Sequence, residues 1–182
     1  MPAIDGKRVA FLATDGVEQV ELDRPWQAVV DAGGRPELVS LESGDIQAFN
    51  HLDKAYKKHV DVAVDGATAD SYDALVLPGG VANGDFVRAD ENAVRFVRGF
   101  AAAGKPIGVI CHGGWVLIEA EAVRGKTMTS WPSLQTDLRN AGANWVDREV
   151  VTDNGLVSSR KPDDLDAFCA KLVEEVAEGA HV

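Results

Sequence analysis

Cysteine is nearly absent from this chain: only Cys111 and Cys169 occur, far apart and outside any C-x-x-C pair. That excludes a disulfide framework, a thioredoxin-type redox pair and a structural zinc site built on cysteines. No apolar run approaches the length of a membrane span, and the opening Met-Pro-Ala-Ile-Asp-Gly-Lys has no signal-peptide core. The expected location is therefore the cytoplasm. Positive charge is scarce too, with 18 Lys and Arg against 29 Asp and Glu and a net charge of −11. Nucleic acids and anionic membranes both require a basic face, so neither is expected as a partner.

Nucleotide fingerprints are also missing. The loop after the first predicted strand, Thr14-Asp-Gly-Val-Glu-Gln-Val-Glu21, has one glycine among acids that would repel a pyrophosphate, and no P-loop occurs. His51 and His59 lack companions at metal-ligand spacing and read as surface residues. Neither a metal nor a cofactor is expected. The 182 residues contain no internal repeat or low-complexity tract and suit a single domain over 1–182.

What is present is an alternation of apolar strand-like runs and amphipathic helices. Lys7–Ala13, Pro36–Leu41, Tyr72–Leu77 and Pro106–Ile110 read as strands. Glu18–Ala32, Asp90–Ala103 and Pro162–Ala177 read as helices, the first with Val20, Leu22, Trp26, Val29 and Val30 inward. Glu42–Ala67 reads as a hairpin or irregular excursion. Thr127–Trp131 is a further short strand and Pro132–Ala141 a helix. Trp145–Thr152 and Leu156–Ser159 pair about the Asn154-Gly155 turn. In the closing helix Cys169 reads as packing. The alternation predicts an α/β sandwich, flavodoxin-like or Rossmann-like, with a mostly parallel sheet.

In such folds ligands sit at the carboxyl ends of strands. Three of those ends are chemically unusual here: Asp15–Glu18, Pro78-Gly79-Gly80 and Cys111-His112. At the last, a strand meets a cysteine, then two glycines and a helix, which exposes the sulfur and aims backbone amides at it, favouring a thiolate. Two functional classes fit. A cysteine hydrolase would use Cys111 as nucleophile and His112 or a carboxylate for proton transfer. Its oxyanion would rest on amides at Gly79, Gly80 and His112. A redox sensor would use the same exposed cysteine, oxidising it reversibly. Spacing does not separate the two.

The segments Gly16-Val-Glu18-Gln-Val-Glu21-Leu, Ala74-Leu-Val-Leu-Pro-Gly-Gly80, Gly104-Lys-Pro, Ile110-Cys-His-Gly113, Trp145-Val-Asp and Ser158-Ser-Arg160 together resemble the DJ-1/PfpI superfamily, in particular its PfpI-type intracellular protease branch. The resemblance implies a flavodoxin-like sandwich that assembles as dimers, trimers of dimers or hexamers. It implies a nucleophile-elbow Cys111, a catalytic His112, and an acid beside the thiol that maps to Glu18, with Glu21 and Trp131 in support. It further implies a carboxylate from a neighbouring subunit, mapped to Asp85. The implied activities are peptidase or amidase, glyoxalase or deglycase, chaperone, and oxidative-stress protection, with a small carbonyl compound or a peptide as substrate. Trp131 replaces an aromatic hydroxyl common in the family, Gly114 stands where the branch often has proline, and the loop bearing Asp85 is one residue longer than usual.

Overall fold

In a computed structural model, residues 1–181 are described. The buried run Arg8–Leu12 forms β1, followed by the short Val17–Glu18 (β2), the helix Gln19–Asp31 (α1) and Arg35–Ser40 (β3). The polar excursion folds as a hairpin of Asp45–Asn50 (β4) and Asp53–His59 (β5), and Val62–Ala63 (β6) returns the chain to the sheet. Next come Ala74–Leu77 (β7), Val81–Arg88 (α2), Glu91–Ala102 (α3), Ile107–Ile110 (β8) and Gly114–Glu119 (α4). The last third contains Thr127–Met128 (β9), Gln135–Asn140 (α5), Asn144–Trp145 (β10), Val150–Asp153 (β11), Leu156–Ser159 (β12) and Leu165–Glu178 (α6).

Seven strands form one sheet in the order β11-β12-β8-β7-β1-β3-β6, parallel except for β11. Helices α1 and α6 cover one face around Phe11, Phe168 and Leu172. Helices α2, α3 and α4 cover the other around Phe96, Phe100 and Leu117. This is a three-layer, flavodoxin-like sandwich, with both faces of β1, β7 and β8 shielded as an all-parallel core requires. From β1 the chain runs outward to β3 and β6, then returns to β7 on the opposite side of β1. Loops leaving β1 and β7 therefore diverge and open a crevice at their carboxyl ends. No helix among the described residues is long and apolar enough to cross a membrane.

Several local expectations change. Residues 81–88, read as loop, form α2; Asn83 and Gly84, poor helix formers, are buried there. The strand expected over 127–131 ends at Met128 and pairs with β10 in a separate two-stranded sheet. Trp145 therefore belongs to that sheet, and the β11–β12 hairpin begins at Val150. Its turn has Asn154 and Gly155 both left-handed (φ 46° and 81°), as the Asn-Gly pair predicts. In α1, Val30 faces solvent, whereas Glu21 is fully buried beside Leu22 and Pro25.

Candidate active site

The corner at Cys111 is built by strain and by missing side chains. Ile110 ends β8 in extended conformation and Cys111 turns left-handed at φ 59°. For a non-glycine residue this costs about 1–2 kcal/mol, maintained by the packing around it. A 3-10 turn over Cys111–Gly113 then leads into α4. A Cβ on Gly113 would lie 2.5 Å from the Leu77 carbonyl oxygen, so only glycine lets the turn sit against β7. On Gly79 a Cβ would fall 2.7 Å from both Cys111 Cβ and Glu21 Oε1, in the space where thiol and carboxyl converge.

Asn83 explains the unexpected α2. Its Nδ2 donates to the carbonyls of Pro78 and Gly79, and its Oδ1 accepts from the Thr14 amide at 2.8 Å. One buried side chain thus ties the ends of β1 and β7 together and fixes the loop beneath the sulfur. In the sequence this segment is legible only as the loop that carries Asp85.

Glu21, not Glu18, is the carboxyl group packed against Cys111. Both Glu21 oxygens are enclosed and neither has a hydrogen-bond partner of good geometry; the Cys111 thiol is the polar side chain facing them. Burial, reinforced by the charge of Glu18, pushes the Glu21 pKa up to about 8 against a smaller opposing effect of Cys111. The carboxyl therefore keeps its proton at neutral pH and presents an O–H in the site. Glu18 lies at the mouth, where its carboxylate accepts the His51 amide at 3.1 Å and stands 3.8 Å from that imidazole. His51 is exposed, as expected, but it borders the cleft.

The expected thiolate is also corrected. Burial and then the charge of Glu21 push the Cys111 thiol up, outweighing the amides of His112 and Gly80 that face the sulfur and pull it down. Gly79 is not among those amides; its contribution is the room left by its missing Cβ. His112 Nδ1 stands 3.1 Å from Cys111 Sγ although the two residues are adjacent, because the left-handed turn folds the imidazole back. Burial lowers the His112 pKa. Thus a neutral imidazole faces a protonated thiol, an arrangement suited to proton transfer on demand.

Above the sulfur opens a cleft of about 700 Å³. Trp131 stacks on His112 with ring planes 25° apart, and Trp115 meets the same imidazole edge-on. Phe49, Leu52, Val81 and Phe86 form an apolar rim, and Pro162 closes one side, positioned by Arg160 through its pairs with Asp147 and Asp164. Asp85 sits exposed on α2 at this rim, and no carboxylate among the described residues hydrogen-bonds His112. The lining includes the acids Glu18, Glu21 and Asp85 and no Lys or Arg. A second cavity of about 760 Å³ lies beyond Asp85, bordered by Arg88, Arg95 and Arg98, and includes neither Cys111 nor His112. Cys169 is buried in α6, its thiol pushed up to about 11 by burial, consistent with packing.

The sequence pattern of the DJ-1/PfpI family matches residues 7–175. A putative cysteine protease, YraA of Bacillus subtilis, is 40% identical over 162 residues, covering 89% of this chain and 94% of its own. The deglycase PfpI of Pyrococcus furiosus is 39% identical over 167 residues, covering 92% and 98%. A crystal structure of a two-domain Anabaena variabilis protein, with DJ-1/ThiJ/PfpI-like and ferritin-like domains, superposes with a TM-score of 0.89 at 31% identity. That match covers 94% of this chain but 48% of the other, so this chain spans about half of the two-domain protein.

Proposed function

This chain belongs to the DJ-1/PfpI family, and on that premise we propose that it is a Cys111-dependent enzyme acting on carbonyl carbon, as a deglycase or glyoxalase first and a peptidase or amidase second. The observation carrying this reading is the 3.1 Å contact between Cys111 Sγ and a neutral His112 at the floor of an open cleft. Substrate enters over the Trp131–His112 stack. His112 Nδ1 takes the thiol proton as Sγ bonds the carbonyl carbon, and the carbonyl π pair moves onto oxygen. The amides of Gly80 and His112 and the protonated Glu21 lie beside the forming oxyanion. For an amide, the His112 imidazolium returns its proton to the departing nitrogen as the C–N bond breaks. For a hemiaminal adduct, Sγ instead displaces the amine from the carbon that bears both nitrogen and hydroxyl, and the same imidazolium protonates that nitrogen. Water then releases the acyl group or adduct carbon from sulfur.

The imidazole nitrogen of His112, 3.1 Å from Cys111 Sγ, favours the enzyme reading, because it offers a base that forms the thiolate when substrate is bound. The acidic mouth, with Glu18 and Asp85 and no Lys or Arg in the lining, favours neutral or cationic substrates such as adducts of arginine or lysine side chains. The exposed apolar rim of Val81, Phe86 and Leu52 supports assembly with a second copy of the chain. Because no carboxylate among the described residues bonds His112, that copy would complete the site with its Asp85. The test is a panel of methylglyoxal, its arginine adduct and peptide amides. Cys111-dependent turnover of any member supports the enzyme reading, and preference for the adduct supports the deglycase; inactivity on all three overturns it.

A further inference from the structure

The last five residues of α6 include Glu174, Glu175 and Glu178 and no basic residue. At a helix carboxyl end the backbone carbonyls already present partial negative charge, so acids there are unfavourable unless a cation is near. Glu174 pairs with Lys171. Glu175 and Glu178, three residues apart and so on one face, share one nitrogen partner within 4 Å among the described residues, the imidazole of His181. Its Nε2 lies 2.9 Å from Glu175 Oε2 and 3.8 Å from Glu178 Oε2. One donor atom from each of the three residues lies within 4.8 Å of the other two.

The histidine is held in place by the fold. Its amide donates to the Gly104 carbonyl at 2.8 Å, and a Cβ on Gly104 (φ 63°) would fall 2.1 Å from the His181 carbonyl oxygen. A Cβ on Gly155 would approach the ring at 3.0 Å. Two glycine loops thus form the seat into which His181 docks. Glu175 is only 7% exposed, whereas Glu178 and His181 are open to solvent, so a small ion has a path of entry.

We propose that Glu175, Glu178 and His181 bind a divalent transition-metal cation of the zinc or cobalt type. Imidazole with two carboxylates suits these borderline ions, which hold such donors at about 2.0–2.2 Å. Magnesium and calcium prefer oxygen alone. The cation neutralises the acidic end of α6 and ties the carboxyl-terminal segment to the loop preceding β8. This is the opposite end of that strand from Cys111, so binding is read independently of catalysis.

The test is a Co²⁺ titration of the full-length, tag-free chain followed by visible absorption, in wild type and in Cys111→Ser, Glu178→Gln and His181→Ala variants of verified fold. The expected result is one equivalent bound by wild type and by Cys111→Ser, with a ligand-field band and no thiolate-to-cobalt charge transfer. Glu178→Gln and His181→Ala each bind at least tenfold more weakly, and Zn²⁺ raises the thermal midpoint of wild type but not of these two. Absence of binding, loss of binding in Cys111→Ser, or undiminished binding in both α6-end variants overturns the assignment.

Discussion

Glu21 Oε1 and Cys111 Cβ would each lie 2.7 Å from a Cβ placed on Gly79, so a buried acid and a buried thiol share one small space that only glycine leaves open. The proposed chemistry follows from this convergence, since it keeps a carboxyl proton beside the sulfur at neutral pH.

Stability should record that proton. The Glu21 pKa is about 8 in the folded chain against an ordinary 4.5, so between these values the native state binds the proton and the unfolded state does not. The contribution is fully present below about pH 4.5 and is lost as pH rises towards about 8, at roughly 1.4 kcal/mol per pH unit for one proton. Urea denaturation across pH 5–8 should show wild type losing stability relative to Glu21→Gln over this interval. Parallel curves would contradict a protonated Glu21.

His112→Ala should lower kcat by about 10²–10⁴, the usual range for a lost general base, with little change in substrate KM. The effect should shrink at high pH, where solvent hydroxide removes the thiol proton. Steady-state kinetics from pH 6 to pH 10 check this, and an undiminished kcat at neutral pH would remove His112 from the mechanism.

Asn83→Ala should cost about 1–3 kcal/mol, because the Thr14 amide and the Pro78 and Gly79 carbonyls lose their buried partner. Turnover should fall as well, since the Gly79-Gly80 loop loosens below the sulfur. Denaturation and kinetics of the purified variant test both, and a neutral effect on each would mean the loop is held by its packing alone.

Much of this site was legible because the signals are local. Cys111 follows four fully buried strand residues and precedes His112, Gly113 and Gly114, and three unusual strand ends do meet at one cleft. The resemblance maps the acid beside the thiol to Glu18 and leaves Glu21 in support, because both belong to one acidic stretch. The helical positions say otherwise, since Glu21 shares its buried side with Leu22, Pro25, Ala28 and Val29. Helix α2 was hidden because Asn83 and Gly84 read as loop residues. Asn83 is required for its three hydrogen bonds, and a Cβ on Gly84 would lie 2.9 Å from the His112 carbonyl oxygen. The thiol's raised pKa depends on burial by distant segments, which no local spacing reports.

At the cleft mouth, Glu18→Gln should raise KM for a cationic arginine adduct several-fold while leaving a neutral substrate nearly unaffected. An equal change for both would assign Glu18 a structural role through His51 instead. Paired KM measurements at low and physiological salt separate these outcomes, because a charge effect at a solvent-open site weakens with ionic strength.

Assembly is tested by placing charge on the apolar rim. Phe86→Asp, at a side chain 52% exposed in the isolated chain, should preserve folding but reduce the mass measured by light scattering and reduce turnover in parallel. A wild type that is monomeric at micromolar concentration would contradict the shared-site reading.

The most direct measurement is kcat/KM of Cys111→Ser on whichever substrate of the panel wild type turns over, with thermal midpoints recorded alongside. The account predicts a loss of at least about a thousandfold with the fold intact, as expected when the attacking atom of an acyl- or adduct-transfer enzyme is replaced. Activity within a few-fold of wild type would show that Cys111 is not the nucleophile and would contradict the account.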